Sequence, residues 1–301
     1  MLKIAYDPIY SHPLPEGHRF PMVKYELIPE QLLYQGLITR ENLFSPSPLE
    51  EEWIVKAHSA DYWRRLKTLE LTPKEMRVIG FPLSAALIER EIRIARGTID
   101  CALYALDYGV ALNVAGGTHH AFHDRGEGFC ILNDIAIAAN YLLASAKSKR
   151  ILIVDLDVHQ GNGTAALFYG EERVFTFSMH GEHNYPFRKE KSDLDIGLPD
   201  GTNGGTYLSL LEKQLPVLLA QQRPDFVFYL SGVDVLSTDK YGKLLLSQAE
   251  CQQRDAFVLN TCQKKGLPVA ISMGGGYSPD IRNIVDAHCN TFRAAADIYG
   301  W

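Results

Sequence analysis

No apolar run in this 301-residue chain approaches the roughly 20 residues that a membrane-spanning helix needs. Positive charge is also scarce. Lysine and arginine number 30 against 36 acidic residues, a net charge of -6, and no basic stripe is interleaved with aromatics. Direct binding of nucleic acid is therefore not expected. Cysteine is sparse and scattered: Cys101, Cys130, Cys251, Cys262 and Cys289 form no CxxC pair. A disulfide framework and a cysteine zinc site are both disfavoured, and a reducing cytoplasm suits such thiols. The first residues, MLKIAYDPIY, are too polar for a signal peptide and read as a strand followed by a turn. No repeat, low-complexity segment or polar linker divides the chain, so one domain over residues 1–301 is expected. A hydrophobic content of 46% suffices for a substantial core.

The order of elements points to an α/β class. HRFPMVKYELIPEQLLYQG has Pro21 near a helix start and Gly36 near its end. Ser45 to Pro48 reads as a turn. Leu83 to Tyr108 is a long run of helix formers with Gly97 as its weak point. Short apolar runs then alternate with helical spacing. Strands are expected at Val110–Val114, ILIVDLD from Ile151, Val174–Met179, Asp225–Leu230 and Pro268–Met273. Helices are expected at Asp134–Ala146, Thr164–Phe168, Tyr207–Gln222, Ser247–Lys265 and Ile281–Ala296. Strands apolar on both faces predict a predominantly parallel central sheet with helices on both sides.

Several of these strands run into residues that are expensive to bury. VALNV leads into AGGTHHAF, ILIV into DLDVHQGNG, DFVFYL into SGVDVLSTD, and PVAISM into GGGY. Ligands of open α/β sheets bind beyond the carboxyl ends of parallel strands, so four such ends would gather these residues in one crevice. Asp157 and His159 lie two apart, on one side of an extended segment, and Asp234 is the obvious third donor. Two aspartates and a histidine with an open fourth position suit a catalytic zinc ion, which would polarise a carbonyl and acidify water. His119 and His120 offer a proton shuttle, and Tyr277 a phenol donor for an oxyanion. Each piece alone has a plainer reading. Asp155 and Asp234 could be caps, the histidines satisfied core residues, and GGGY a turn. Those readings would have to hold at four strand ends independently.

Taken in order, GGTHHAF, GFCILNDIAIAA, DLDVHQGNG, SGVDVLSTDKYG and GGGY resemble the zinc-dependent histone deacetylase superfamily, whose fold is shared with arginases. The resemblance runs from HRFPMVKY onward and is nearest the class IV branch and its bacterial relatives. It implies zinc ligation by Asp157, His159 and Asp234. His120 would be the general base that activates water and then protonates the leaving amine. His119 would be its electrostatic partner, hydrogen-bonded to Asp155, and Tyr277 would bind the substrate carbonyl. Gly128 and Phe129 would line a tunnel for the acyl-lysine side chain, with Tyr185 and Gly275 as further walls. Arg19 matches the arginine of an internal cavity beneath the metal. A structural potassium ion is implied near Asp155, with Asp157, His159, Ser178 and Met179 contributing oxygens.

Two departures carry expectations. Asn162 stands where many relatives have an acidic residue, so it can hold the His120 ring but adds no charge. Tyr241 stands near the tunnel mouth where relatives often carry leucine. His180 and His183 are candidates to line that mouth, and Glu182 is a candidate acidic gate for a polyamine substrate. The expected partner is a lysine peptide or protein acylated with an acetyl or longer fatty-acyl group, the class IV resemblance implying a preference for long chains, or another acylated amine such as an acetylpolyamine. A two-manganese ureohydrolase is disfavoured, because Gly161 stands where a further carboxylate would be needed. An acyl-lysine binding module is disfavoured by the intact His120 and Tyr277.

Overall fold

The fold is taken from a computed structural model that describes residues 2–301. Its strands are β1 (Lys3–Ala5), β2 (Leu43–Phe44), β3 (Val110–Asn113), β4 (Ile151–Asp155), β5 (Val174–Gly181), β6 (Leu194–Leu198), β7 (Phe226–Leu230) and β8 (Val269–Ser272). They form one eight-stranded sheet in the order β2-β1-β3-β8-β7-β4-β5-β6. Every pairing is parallel. The helices are α1 (Lys24–Tyr34), α2 (Glu51–Ile54), α3 (Ala60–Lys67), α4 (Pro73–Ile79), α5 (Ala85–Tyr108), α6 (Asp134–Ala144), α7 (Asn162–Leu167), α8 (Gly204–Gln222), α9 (Gln248–Lys264) and α10 (Ile281–Tyr299).

The central strands β3, β8, β7 and β4 are buried at every residue. Side chains therefore meet a packed layer on both faces, which is why these strands read as unbroken apolar runs. Helices α5 and α6 pack together and α5 covers β1, β3 and β8, while α8, α9, α10 and α1 form a second contiguous row. The expected parallel sheet flanked by helices is the one observed.

Helix ends follow local chemistry. Ser84 caps α5, Asn133 caps α6 and Asn203 caps α8, each accepting a backbone N–H of the first turn. Ser247 and Glu250 make a reciprocal capping box at the start of α9. Gly97 is no weak point: a Cβ there would lie 2.6 Å from the Tyr10 hydroxyl and 3.1 Å from the Ala5 Cβ, so the glycine lets α5 press onto the sheet. The sequence reading overlooked β2 and β6. Strand β2 is two residues long, and β6 alternates between exposed and partly buried residues, as an edge strand does.

Candidate active site

Strands β3, β8, β7 and β4 are neighbours in the sheet, so the four unusual strand ends lie side by side. At their focus, one ligand atom each from Asp157, His159 and Asp234 lies within 4.8 Å of the others. The Nδ1 atom of His159 is 3.0 Å from Asp157 Oδ1 and 3.1 Å from Asp234 Oδ2. Both carboxylates are almost wholly buried. Buried carboxylates of this kind demand a cation.

The surroundings of His159 favour a positive charge on its ring. Burial opposes charge on His159, but the hydrogen bonds its ring donates to the two carboxylates, and their charges, outweigh it and raise its pKa to about 10. Burial and the neighbouring Asp157 charge push Asp234 up to about 7. Two oxygens and one imidazole nitrogen converging on one point fit a zinc ion, with the fourth side open toward the tunnel. The backbone supports the cluster: Asp157 Oδ2 accepts from Gly275 N at 2.8 Å, and Asp234 Oδ1 from Val158 N at 2.9 Å. A Cβ at Gly275 would lie 2.9 Å from Asp157 Oδ2 and nearer still to Asp234, so glycine is required there.

His119 and His120 lie above the cluster with ring centroids 4.1 Å apart. His119 Nδ1 is 2.7 Å from Asp155 Oδ2, and His120 Nδ1 is 2.7 Å from Asn162 Oδ1. An amide oxygen only accepts, so His120 carries its proton on Nδ1 and leaves Nε2 free to accept one. Burial lowers the His120 pKa well below its ordinary value, and the neighbouring histidines add to this. Burial also disfavours charge on His119, but the Asp155 carboxylate outweighs it and the pKa rises. Two adjacent histidines thus shift in opposite directions: both are buried, but only His119 has a carboxylate against its ring to offset that burial.

Tyr277 closes the far side. Burial, with the Asp234 and Asp157 charges behind it, raises its phenol well above the ordinary range, so it remains a donor at neutral pH. The tunnel above has a volume of about 360 Å³, and Gly128, Phe129, Tyr185, Tyr241 and Tyr277 all line it. Phe129 adopts a positive φ of 67°, a costly conformation for a bulky residue, and its N–H donates to Ile79 O at 2.6 Å. The Phe129 ring packs against Phe20 and Phe81 at 5.2 Å each.

Three expectations need correction. Arg19 does not enter the inner cavity; it is exposed and lines the mouth of the tunnel. The arginine of the small inner chamber, about 40 Å³, is Arg90, whose Nε donates to Tyr10 O at 2.7 Å and whose other edge pairs with Glu91. Arg90 sits inside α5, where a helical pattern gives no hint of its depth. His183 lines the mouth as expected but His180 does not: it is buried, with Nδ1 2.9 Å from Ser178 Oγ. Glu182 is exposed on the β5–β6 side, against Gly197, and does not line the mouth.

Other residues that position the site went unremarked in the sequence. Asp134 accepts from Thr118 N at 2.9 Å, Thr98 Oγ1 at 2.7 Å and Ser272 Oγ at 2.9 Å, bracing the loop that carries both histidines. Asp239 Oδ2 accepts from Tyr277 N at 2.7 Å, while its Oδ1 accepts from Tyr241 N and Gly242 N at 2.8 Å each. Lys24 is fully buried and donates to Gly274 O at 3.1 Å. Arg254, also fully buried, donates to Leu156 O at 3.1 Å and Gly232 O at 2.7 Å, tying together the segments that bear Asp157 and Asp234. Asp134 and Asp239 lie within the quoted motifs, a signal that could have drawn attention to them.

The histone deacetylase domain profile matches residues 18–292. The chain belongs to the histone deacetylase family. It is 46% identical over 296 residues to an uncharacterized protein of Picosynechococcus sp., covering 98% of this chain and 99% of that one. It is 27% identical to histone deacetylase 2 of Arabidopsis thaliana, over 89% of this chain and 72% of the relative. Against human histone deacetylase 1 the identity is 29%, over 93% of this chain but only 61% of the relative. Among solved structures, a histone deacetylase homolog complexed with SAHA aligns with a TM-score of 0.84 and 27% identity, covering 99% of this chain and 84% of that one. A homolog from Aquifex aeolicus aligns with a TM-score of 0.83 and 26% identity, over the same shares. One α/β unit carries the whole constellation. No helix among the described residues is long and apolar enough to cross a membrane.

Proposed function

We propose that residues 1–301 form one catalytic domain of class IV type, a zinc-dependent amidohydrolase that removes acyl groups from lysine side chains of proteins. The observation that carries this reading is convergence. A cation site, a base with a free Nε2, a charged partner and a phenol donor all meet at the foot of one aromatic-walled tunnel.

Asp157, His159 and Asp234 would hold the zinc, which when bound polarises the amide carbonyl and acidifies water. His120 Nε2 takes the proton from the attacking water and hands it to the leaving amine. His119, held by Asp155, supplies positive charge beside the developing oxyanion. Tyr277 donates its phenol hydrogen bond to the same oxygen as charge accumulates there. Phe129, Gly128 and Tyr185 keep water from the unbranched alkyl chain of the substrate, whereas Gly275, expected as a further wall, lies in the inner chamber against Asp157 and Asp234. A potassium ion served by oxygens of Asp155, Asp157, His159, Ser178 and Met179 would compensate the buried Asp155 carboxylate.

The small inner chamber favours an acetyl group over a long fatty chain, which would require the chamber to open. An acetylpolyamine is the weaker reading, because among the described residues the mouth is lined by Arg19, Lys243 and His183 and by no carboxylate. The five free, buried thiols suit the cytoplasm.

The test is hydrolysis of acyl-lysine peptides, from acetyl to myristoyl, by zinc-loaded protein. His120→Ala and Tyr277→Phe serve as controls. Turnover should be greatest for acetyl and vanish in His120→Ala. Tyr277→Phe should lower kcat by about 10²–10³-fold with zinc content unchanged. Absence of turnover on every acyl-lysine by zinc-loaded protein would reject the reading.

A further inference from the structure

We propose that Arg19 is a carboxylate-binding residue at the tunnel mouth, and that the enzyme selects acyl-lysine substrates bearing a negative charge beside the reacting side chain. The inference rests on the acyl-lysine reading and specifies its substrate class.

Arg19 is exposed, lines the mouth, and makes no ion pair or hydrogen bond among the described residues. Its guanidinium carbon lies 4.9 Å from the centre of the Phe129 ring, the wall of the tunnel itself. Stacking on an aromatic face leaves the N–H edges of a guanidinium free, and those edges match a carboxylate bidentately.

The residue is not on a loose loop. On one side of it, His18 Nε2 donates to Gly80 O at 2.8 Å, and Phe20 N donates to His18 Nδ1 at 3.2 Å. On the other side Phe20 is buried, edge-on to Phe81 at 5.0 Å. The backbone that presents Arg19 is therefore held from both directions.

The surrounding charges leave this site uncompensated. Among the described residues no carboxylate lines the mouth. The nearby Glu127 is engaged by the Tyr185 hydroxyl and lies 3.4 Å from Arg125 Nε. Asp200 is shared between Lys243 and His183, at 3.3 Å from each. The mouth is locally cationic on a chain whose net charge is -6. A cationic acylated amine would be repelled there, and an acidic neighbour of the acyl-lysine attracted.

A carboxylate could reach Arg19 from two sources: an aspartate or glutamate flanking the acyl-lysine, or the α-carboxylate of a free acyl-lysine. Both are tested by comparing acetyl-lysine peptides flanked by glutamate, glutamine or lysine, free acetyl-lysine against its α-amide, and an acetylated polyamine. Each is measured with zinc-loaded protein and with Arg19→Gln, Arg19→Glu and Arg19→Lys. Anisotropy of the same peptides, labelled with a fluorophore, reads affinity without turnover.

The glutamate-flanked peptide should exceed the lysine-flanked one by about fivefold or more in kcat/KM, through KM, with kcat unchanged. Arg19→Gln should erase the ratio and Arg19→Glu reverse it. Arg19→Lys should retain part of it, and added salt should compress it. A preference for free acetyl-lysine over its amide would assign the α-carboxylate as the source; a preference confined to flanking glutamate would assign the side chain. Equal affinity and turnover for glutamate- and lysine-flanked peptides together with no preference for free acetyl-lysine over its α-amide, or a preference that survives Arg19→Gln, would overturn the proposal. Loss of turnover on all acyl-lysines would instead reject the amidohydrolase reading, while the anisotropy series would still decide the role of Arg19.

Discussion

His120 Nδ1 lies 2.7 Å from the side-chain oxygen of Asn162, the first residue of α7. The amide fixes the ring and its tautomer without adding charge. Asn162→Asp would place a carboxylate at the same nitrogen and raise the His120 pKa, which burial now holds low. His120 acts as a base only when neutral, so the acid limb of kcat/KM should move to higher pH. Activity near pH 6 should fall relative to activity near pH 8. An unchanged pH–rate profile would show that Asn162 does not tune His120.

Asp239 holds three backbone N–H groups, those of Tyr277, Tyr241 and Gly242. Asp239→Ala would leave them without partners, at a cost of about 1–3 kcal/mol for each group that stays buried. The phenol would lose its aim, so kcat should drop on the order of 10²-fold. Zinc content, measured by elemental analysis, should stay at that of the parent. Full activity in Asp239→Ala would show that the Tyr277 loop is held by other contacts.

The metal-free protein should lose stability as pH rises. Asp234 has a folded-state pKa of about 7, raised from the ordinary value of 3.8 by burial and by Asp157. Between those values the folded chain binds more protons than the unfolded one, so the stabilisation present at low pH is lost as pH climbs through about 7. Zinc competes with that proton and with the one on His159, whose pKa is about 10, so metal affinity should fall as pH drops from about 10 and more steeply below about 7. Melting of metal-free and zinc-loaded protein across this window checks both signs. A metal-free melting temperature independent of pH would show that Asp234 does not carry the proton.

Arg254 spans the carbonyls of Leu156 and Gly232 and pairs with Asp255 at 2.8 Å, all without exposed surface. Asp255 is itself held by the Tyr229 hydroxyl at 2.5 Å and Thr291 Oγ1 at 2.6 Å. Arg254→Met would strand the buried Asp255 charge and should cost about 3–5 kcal/mol in denaturant unfolding. Arg254→Lys keeps the charge, but its shorter chain and single nitrogen cannot serve Asp255 and both carbonyls at once, so it should fold while binding zinc more weakly. Unaltered zinc affinity in a folded Arg254→Lys protein would confine Arg254 to stability.

Much of this protein was determined by its sequence alone. Unbroken apolar runs specified the four central strands, because a strand covered on both faces has no polar side to show. The charged residues after them marked the site, because only a function explains carboxylates and imidazoles at the ends of core strands. Burial depth was decided by tertiary structure. Arg19 and Arg90 look alike in a sequence, yet one lies on a ring at the surface and the other is buried beside Glu91 in α5. Lys24 follows the same motif as Arg19 by five positions and is wholly enclosed. Glu182 and His183 are adjacent, and only the second faces the tunnel. Side-chain periodicity is local and can be read along the chain. Whether a charge meets water, a carbonyl or a metal depends on segments far apart in sequence, and only the folded chain brings those together.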